Sequence, residues 1–247
     1  MPGEDSIIEW ATGLTIAGGA GLTAWAAVSP WSELFGPVLR RADSPVSMPL
    51  TFDDGPNPAI TPALLDLLER YGARGTFFMI GRHVRANPQL AAEVLARGHA
   101  IGNHTETHPN LIWLSPARIR EELLRCQEAI EDATGHGPRW MRPPYGFRGP
   151  QLAPVLRKGG WAGMALWSRA MFDWKPQPPG KMIRRMARAR GGEILLMHDG
   201  DPFIERADRS HVLRSLEQWL PRWAEAGIKF PTIDDLTARS AAIPATA

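Results

Sequence analysis

Residues 48–80 read "MPLTFDDGPNPAITPALLDLLERYGARGTFFMI", and this stretch decides the fold class. The apolar runs at 48–52 and 75–80 are typical of buried strands. Between them, Thr61-Pro62 supplies a capping residue followed by proline at the first helical position, and four leucines then form one apolar helical face. A strand, a helix and a second strand in this order predict parallel strands joined by a right-handed crossover.

The same alternation continues along the rest of the chain. Helices of the same kind are predicted to start at Asn87-Pro88 and at Ser115-Pro116. An open parallel sheet and a closed barrel both fit this α/β pattern, and in either one the reactive side chains belong beyond the carboxyl ends of the strands. The seven strand candidates lie near residues 48–52, 75–80, 99–102, 139–142, 162–167, 193–197 and 228–231.

Composition narrows the class of protein. A chain of 247 residues with 44% apolar and 22% charged residues is long enough for one large folded domain. The net charge is only +2 and the arginines are scattered, so we expect no nucleic-acid partner. Cys126 is the only cysteine, which excludes an internal disulfide and a cysteine-based zinc site. Any metal must therefore be held by histidines and carboxylates.

The N-terminal segment, residues 1–41, differs in composition from the rest. Trp10 to Val28 runs 19 residues without a charge, long enough to cross a bilayer. We expect membrane association through residues 7–31, with a surface-docked helix as the alternative. The basic pair Arg40 and Arg41 follows this segment and favours a cytoplasmic catalytic domain by the positive-inside tendency.

Paired carboxylates and paired imidazoles follow two of the predicted strands. Asp53 and Asp54 end the first strand, and His104 and His108 follow the third. Histidines four residues apart on a helical turn point to one side and can share a cation. Two histidines and one carboxylate leave an open coordination position, as in catalytic metal sites, and the second aspartate remains free as a base.

Three further strand ends carry candidate site residues. Arg142 can hold the free aspartate in its ionised form, and the proline-stiffened loop can fix a backbone N–H near Tyr145 as an oxyanion donor. His198 beside a carboxylate such as Asp173 forms an acid/base pair, because the carboxylate raises the imidazole pKa and fixes its tautomer.

Five short motifs now stand in order between residues 50 and 198: "TFDDGP", "HTETHP", "RPPYG", "FDW" and "LLMH". They resemble the motifs of the polysaccharide deacetylases, carbohydrate esterase family four with the NodB-homology domain. The resemblance covers roughly residues 48–235. It implies a distorted (β/α) barrel of seven to eight parallel strands, preceded here by an N-terminal apolar helix. It also implies metal-dependent hydrolysis of the N-acetyl group of an amino sugar in a poly- or oligosaccharide or a glycolipid.

The resemblance implies a role for each motif residue. Asp53 would be the general base and His198 the general acid. The metal would be one divalent cation, with zinc expected first and cobalt, manganese, nickel or iron as alternatives. The remaining implied roles are metal ligation by Asp54, His104 and His108, orientation of Asp53 by Arg142, oxyanion binding by the Tyr145 N–H, tuning of His198 by Asp173, and contact with the acetyl methyl group by Trp174 and Leu196.

The resemblance has one departure and leaves several points open. The family often has a further aspartate three residues before the aspartate of "DW", and here that position is Ala170. We expect altered substrate contacts from this change, with activity retained.

The predicted division is an N-terminal segment 1–41, a catalytic domain 42–240 and a tail 241–247. The glycan that serves as substrate and the oligomeric state are left open.

Three other functions compete with N-deacetylation. An O-acetyl esterase acting on acetylated glycans would use the same groups. Two histidines and one carboxylate also bind iron(II) in oxygenases, but that chemistry leaves Asp53, Arg142 and the Asp173–His198 pair without a role. A membrane-tethered glycan-binding module without activity is the third alternative, and the intact set of catalytic positions speaks against it.

Overall fold

A computed structural model of the chain describes residue 19 and residues 21–236. The strands are β1 (Val38–Leu39), β2 (Leu50–Gly55), β3 (Gly75–Met79), β4 (Ala100–Asn103), β5 (Trp140–Met141), β6 (Gly163–Ala165), β7 (Arg169–Ala170) and β8 (Leu195–His198). The helices are α1 (residues 21–28), α2 (Thr61–Arg70), α3 (Gly81–Ala86), α4 (Pro88–Ala96), α5 (Pro116–Thr134), α6 (Leu152–Gly159), α7 (Pro179–Met186) and α8 (Ser210–Glu225).

In the described part of the chain, eight strands form one parallel sheet in the order β1-β6-β5-β4-β3-β2-β8-β7. The sheet curls until Arg41, just after β1, bridges Glu193, just before β8. The predicted class, a distorted (β/α) barrel of seven to eight parallel strands, is confirmed. Because all strands run in one direction, their carboxyl ends meet at one rim, where the candidate residues lie.

Two details of the predicted secondary structure are wrong. The seventh strand candidate, 228–231, makes only a single bridge from Lys229 to Ser47. The sheet instead contains β1 and β7, two-residue strands that are too short to give a periodic signal. Thr61 is the first residue of α2, and its hydroxyl donates to Asp199 without capping the helix, whereas Ser115 caps α5 as predicted.

Both faces of the sheet carry apolar side chains, and the reactive side chains lie on the concave face. Phe52, Phe77 and Met197 join the large core cluster between the sheet and its helices. Their neighbours at 53 and 198 are charged or titratable and are directed to the concave side, as the alternation along a strand requires. A smaller cluster that includes Phe78, Ala165 and Ile194 fills the sheet from the other face.

The N-terminal segment contributes to the folded unit. Val38–Leu39 pairs with β6, on the N-terminal side of the predicted boundary at residue 42. Ala26 of α1 is fully buried. Most of the charge-free run that begins at Trp10 lies outside the described residues, and within residues 19 and 21–236 we find no helix with the length and hydropathy of a membrane span.

Candidate active site

A bulge at the end of β2 brings two consecutive carboxylates into one site. Asp53 pairs with Phe78 and Gly55 pairs with Met79, so Asp54 is the extra residue. Its φ of 72° lies in the left-handed region. Adjacent residues of a regular strand point to opposite faces, and this bulge removes the alternation locally. Both aspartates are consequently buried within reach of His104.

The two histidines lie on a loop, and the predicted helical turn is absent. Residues 104–110 have no helical hydrogen bonding, and Thr105 and His108 have φ values of 68° and 60°. The loop is fixed by its own side chains, because the Thr105 hydroxyl accepts from the His108 N–H and Glu122 accepts from Thr107. The two imidazoles meet at a ring-centroid distance of 4.9 Å. The two imidazoles do lie on one side, as expected, but a loop and not a helical turn brings them together.

The donor set of Asp54, His104 and His108 fits a divalent cation. Their ligand atoms all lie within 4.8 Å of one another, and Asp54 Oδ1 is 3.4 Å from His104 Nε2 and 3.3 Å from His108 Nε2. Tetrahedral ligands about 2.0–2.1 Å from zinc are about 3.3–3.4 Å from each other. The spacing therefore matches that of ligands around one ion.

The tautomer of His104 supports the same conclusion. Its Nδ1 lies 2.7 Å from the backbone carbonyl of Arg142 and must donate a proton to it. In the neutral ring, Nε2 then presents a lone pair toward Asp54 Oδ1, which is buried and has no hydrogen-bond partner among the described residues. Two facing lone pairs repel unless a cation lies between them.

The protonation states favour metal binding at neutral pH. Burial alone would raise the pKa of Asp54, but the imidazoles around it, when they carry a proton, lower that pKa below its usual range, His104 first and then His198 and His108, so the carboxylate is ionised. Burial, followed by the neighbouring His104, lowers the pKa of His108 to about 3. A neutral imidazole and an ionised carboxylate are the forms that bind metal.

Asp53 is held away from this donor set by Arg142. The guanidinium donates to Asp53 Oδ1 over 2.7 Å, while Asp53 Oδ2 lies 3.9 Å from His104 Nε2. Arg142 is fully buried over the ring of Phe78, and its other N–H groups donate to Thr51 Oγ1 and to the carbonyls of Ala165 and Leu166. One oxygen of Asp53 thus stays free, as a base requires.

The second titratable pair lies across the rim. His198 Nδ1 is 3.0 Å from Asp173 Oδ1, and Asp173 Oδ2 accepts from the His198 backbone N–H over 2.8 Å. Burial lowers the pKa of His198, but the charge and hydrogen bond of Asp173, together with Asp54 and Asp53, raise it to about 9. The imidazole therefore carries a proton at neutral pH.

Apolar side chains border the space between these pairs. Trp174 lies with its ring 6.4 Å from that of His198, and Leu196 shares the face of β8 with His198. The ring of Tyr145 packs edge-on against His108 at 4.7 Å, and its backbone has a φ of 61°. Ala170 lies in β7 opposite Leu196, so the departure from the family pattern is at this apolar border.

The chain is similar in sequence to a known protein family and to named proteins. The family model for polysaccharide deacetylase matches residues 40–163. A chitooligosaccharide deacetylase from Bradyrhizobium sp. (strain ANU 289) is 35% identical over 198 residues, which cover 77% of this chain and 90% of that protein. The chain belongs to the polysaccharide deacetylase family. The resemblance inferred from the five motifs is thereby confirmed.

The chain is also similar to a longer relative and to a protein of known structure. The peptidoglycan-N-acetylglucosamine deacetylase PgdA of Listeria monocytogenes is 36% identical over 203 residues, or 81% of this chain. The chain spans 41% of the length of that relative. A crystal structure of a CE4 family pseudoenzyme from Bacillus anthracis is similar with a TM-score of 0.72 and 27% identity, covering 81% of this chain and 68% of that one.

Sequence reasoning missed three residues that support the site of this polysaccharide deacetylase family member. Thr51 Oγ1 donates to the Leu195 carbonyl and accepts from Arg142. His83 Nδ1 lies 3.0 Å from the Asp54 carbonyl, and His211 Nε2 lies 3.0 Å from the Asp173 carbonyl. Both histidines lie on helices that are distant in sequence from the aspartates, and they contact only backbone carbonyls of these, so no sequence motif indicates their role.

Loss of Arg142 should destabilise this protein strongly. The Arg142→Met variant leaves Asp53 buried without its cation, and removing one partner of a buried ion pair typically costs about 3–5 kcal/mol. We expect a loss of that size in the free energy of unfolding, measured by urea denaturation at pH 7 with chelator present. Arg157→Met, an exposed arginine, is the control and should change stability by less than about 0.5 kcal/mol. A loss below about 1 kcal/mol for Arg142→Met would contradict the buried pair.

His198 should make the stability of the metal-free protein depend on pH. Its folded pKa of about 9 exceeds the ordinary 6.5, so its contribution is complete below pH 6.5 and is lost as the pH rises through 9. We expect the stability difference between the wild type and His198→Gln to shrink over this window, by at most about 1.4 kcal/mol per pH unit. Urea denaturation at four pH values measures it, with the exposed His136→Gln as control. A difference that is independent of pH would show that His198 is not charged in the fold.

Proposed function

We propose that this chain hydrolyses the N-acetyl group of an acetylated amino sugar in a poly- or oligosaccharide, in a metal-dependent reaction. One observation carries the proposal. An unpartnered Asp54 oxygen faces two imidazoles at ligand spacing, while a second carboxylate, Asp53, is held beside them by Arg142 with one oxygen free. A metal site with an adjacent base is suited to activating water.

The named relatives support an N-acetylated glycan as substrate. One is a peptidoglycan-N-acetylglucosamine deacetylase and the other a chitooligosaccharide deacetylase. Both names describe removal of acetyl groups from an amino-sugar glycan. Peptidoglycan, chitin-like oligomers and a lipid-linked sugar all present that group, and the rates of acetate release from these three substrates identify the one that this chain prefers.

The chain's own residues supply the proton transfers. A divalent cation, zinc first among the alternatives, would be held by Asp54, His104 and His108 and would polarise the acetyl carbonyl and lower the pKa of water. Asp53 accepts the proton from the attacking water at its free oxygen. Arg142 keeps that carboxylate ionised and oriented through the 2.7 Å contact.

The departing amine needs a proton from a separate acid. His198 is protonated at neutral pH and is held in one orientation by Asp173, so it can donate to the nitrogen as the C–N bond breaks. The N–H of Tyr145 is assigned to the developing oxyanion. Trp174, Leu196 and the Tyr145 ring border the space that would receive the acetyl methyl group.

Two alternatives remain to be separated by experiment. An O-acetyl ester has a better leaving group and needs the acid less, so an esterase would tolerate His198→Gln. A non-catalytic glycan-binding module deserves a test because a structurally similar protein is a CE4 family pseudoenzyme. Here, however, Asp53, Asp54 and His198 lie near one another at the same rim, which supports catalysis over binding alone.

The deciding assay is acetate release from N-acetylglucosamine oligomers and from O-acetylated xylan, before and after chelation and after zinc is restored. N-deacetylation predicts release from the amide substrate that chelation abolishes and zinc restores. Release from the ester alone would favour the esterase. Binding of the oligomer without release from either substrate would favour the binding module.

Membrane association through residues 7–31 remains part of the proposal, with the catalytic domain on the cytoplasmic side. Exposed apolar side chains at Leu22, Trp25 and Trp31 are consistent with it. The test is flotation of the full chain with vesicles of neutral and anionic phospholipid. Recovery of the protein at the bottom of the gradient with both vesicle types would contradict membrane association.

A further inference from the structure

Arg148 is a buried cation close to the active site, and none of the roles above uses it. It follows the turn Pro144–Gly146 that contains Tyr145, and it has no exposed surface. Among the described residues, Arg148 forms no ion pair with a carboxylate. All the hydrogen bonds of its side chain go to backbone carbonyls. Burial and the neighbouring Arg40 lower its pKa, but arginine titrates so far above pH 7 that the charge remains.

The partners of Arg148 belong to two separate segments. One Nη donates to the carbonyls of Ser29 and Ser32, each over 2.7 Å, and the other donates to the Gly146 carbonyl over 3.1 Å. Its backbone N–H donates to the Ala27 carbonyl over 3.0 Å. These N-terminal carbonyls lie at and just beyond the carboxyl end of α1, where the helix dipole favours a cation. Arg148 therefore fastens the end of α1 to the Tyr145 turn.

That turn needs an external restraint. Tyr145 has a φ of 61°, a conformation that is uncommon for residues other than glycine and is kept only where the surroundings enforce it. On one side, Gly146 packs so closely on Trp167 that a Cβ would lie 2.6 Å from the ring. On the other side, the Gly146 carbonyl is bound by Arg148. Loss of the guanidinium would remove the side-chain link between this turn and the N-terminal segment, and would leave the bond from the Arg148 N–H to the Ala27 carbonyl and the packing of the Tyr145 ring on His108.

We infer that Arg148 is a positioning residue, which uses the carboxyl end of α1 to hold the Tyr145 backbone in place for the reaction. The catalytic unit then includes residues 21–36, although the family motifs begin at residue 51. Gly36 supports this extension, because a Cβ at this position would lie 2.7 Å from the Cβ of Ala153 and 3.3 Å from the side chain of Met164. The inference rests on the proposed function for its effect on catalysis but not for its effect on structure.

The test compares Arg148→Ala and Arg148→Lys in the full chain with Arg157→Ala, an exposed arginine. We expect Arg148→Ala to lower kcat for acetate release by about tenfold to a hundredfold, the loss that follows a small misplacement of a reacting group. KM and zinc affinity should stay within about twofold of the wild type. Arg148→Lys keeps the charge but cannot span both segments, so its kcat should lie between that of Arg148→Ala and that of the wild type. Arg157→Ala should match the wild type.

Hydrogen exchange supplies a readout that does not need activity. Peptides covering 143–149 and 21–34 should exchange faster in Arg148→Ala and Arg148→Lys, while those covering 50–55 keep the wild-type rate. An unchanged kcat, or faster exchange throughout the molecule, would overturn the inference. If Arg148→Ala does not fold, the lysine variant decides by the same criteria. A wild type without acetate release would refute the proposed function, and the exchange rates would still test the link.

Discussion

Asp53→Asn is expected to lower kcat for acetate release by about 10³-fold while zinc remains bound. The amide keeps the size of the carboxylate and its oxygen can still accept from Arg142, so this contact survives. The buried guanidinium loses its counter-charge, so the folded variant should be less stable than the wild type. It cannot take a proton from water, and general-base catalysis typically contributes about 10²–10⁴-fold. Asp53 lies outside the donor set of Asp54, His104 and His108, so the zinc content should stay at the wild-type level.

The measurement pairs initial rates on N-acetylglucosamine oligomers with zinc analysis of the same sample. Asp66→Asn is a matched control, because this exposed aspartate lies on α2 and makes only a surface ion pair with Arg97. It should leave both quantities unchanged. Full activity in Asp53→Asn would mean that another group takes the proton, and loss of zinc together with activity would place Asp53 among the ligands.

His104→Ala is expected to lower zinc affinity by more than about a hundredfold and to abolish acetate release. The variant removes a ligand whose tautomer is fixed by the Arg142 carbonyl, and even second-shell changes cost about 10–100-fold in metal affinity. Chelation of the wild type should reproduce the loss of activity, and added zinc should reverse it only in the wild type. Competition with a chromogenic chelator measures the affinity.

The exposed His136 provides the control for this second prediction. His136→Ala removes an imidazole with no contact to the site and should bind zinc with wild-type affinity. Equal zinc affinity in His104→Ala and the wild type would exclude His104 as a ligand. Loss of zinc affinity without loss of activity would show that the reaction does not need this cation.

The sequence predicted the fold class and the grouping of the candidate residues for a simple physical reason. Parallel strands end at one rim, so polar residues after separate strands, such as Asp53, His104 and His198, must meet there. The order of the five motifs along the chain added the resemblance to the family. Pairing partners were visible as well, because Arg142 and Asp173 stand at strand ends of the same rim.

Other features depend on local backbone geometry that no periodicity encodes. The bulge at Asp54 turns two adjacent carboxylates to one side, and the His104 to His108 loop gains its shape from positive φ values and not from a helical turn. The contacts of Arg148 join positions more than a hundred residues apart in the chain. Long-range hydrogen bonds to backbone carbonyls leave no residue-type pattern, so sequence reasoning could not find them.

The central claim is that one divalent cation is held by Asp54, His104 and His108. X-ray absorption at the zinc edge, on the full chain loaded with one equivalent of zinc, tests it most directly. The structure predicts two imidazole nitrogens and carboxylate or water oxygens at about 2.0–2.2 Å, with one imidazole lost in His108→Ala. A spectrum without imidazole scattering, or one that is unchanged in His108→Ala, would contradict the claim.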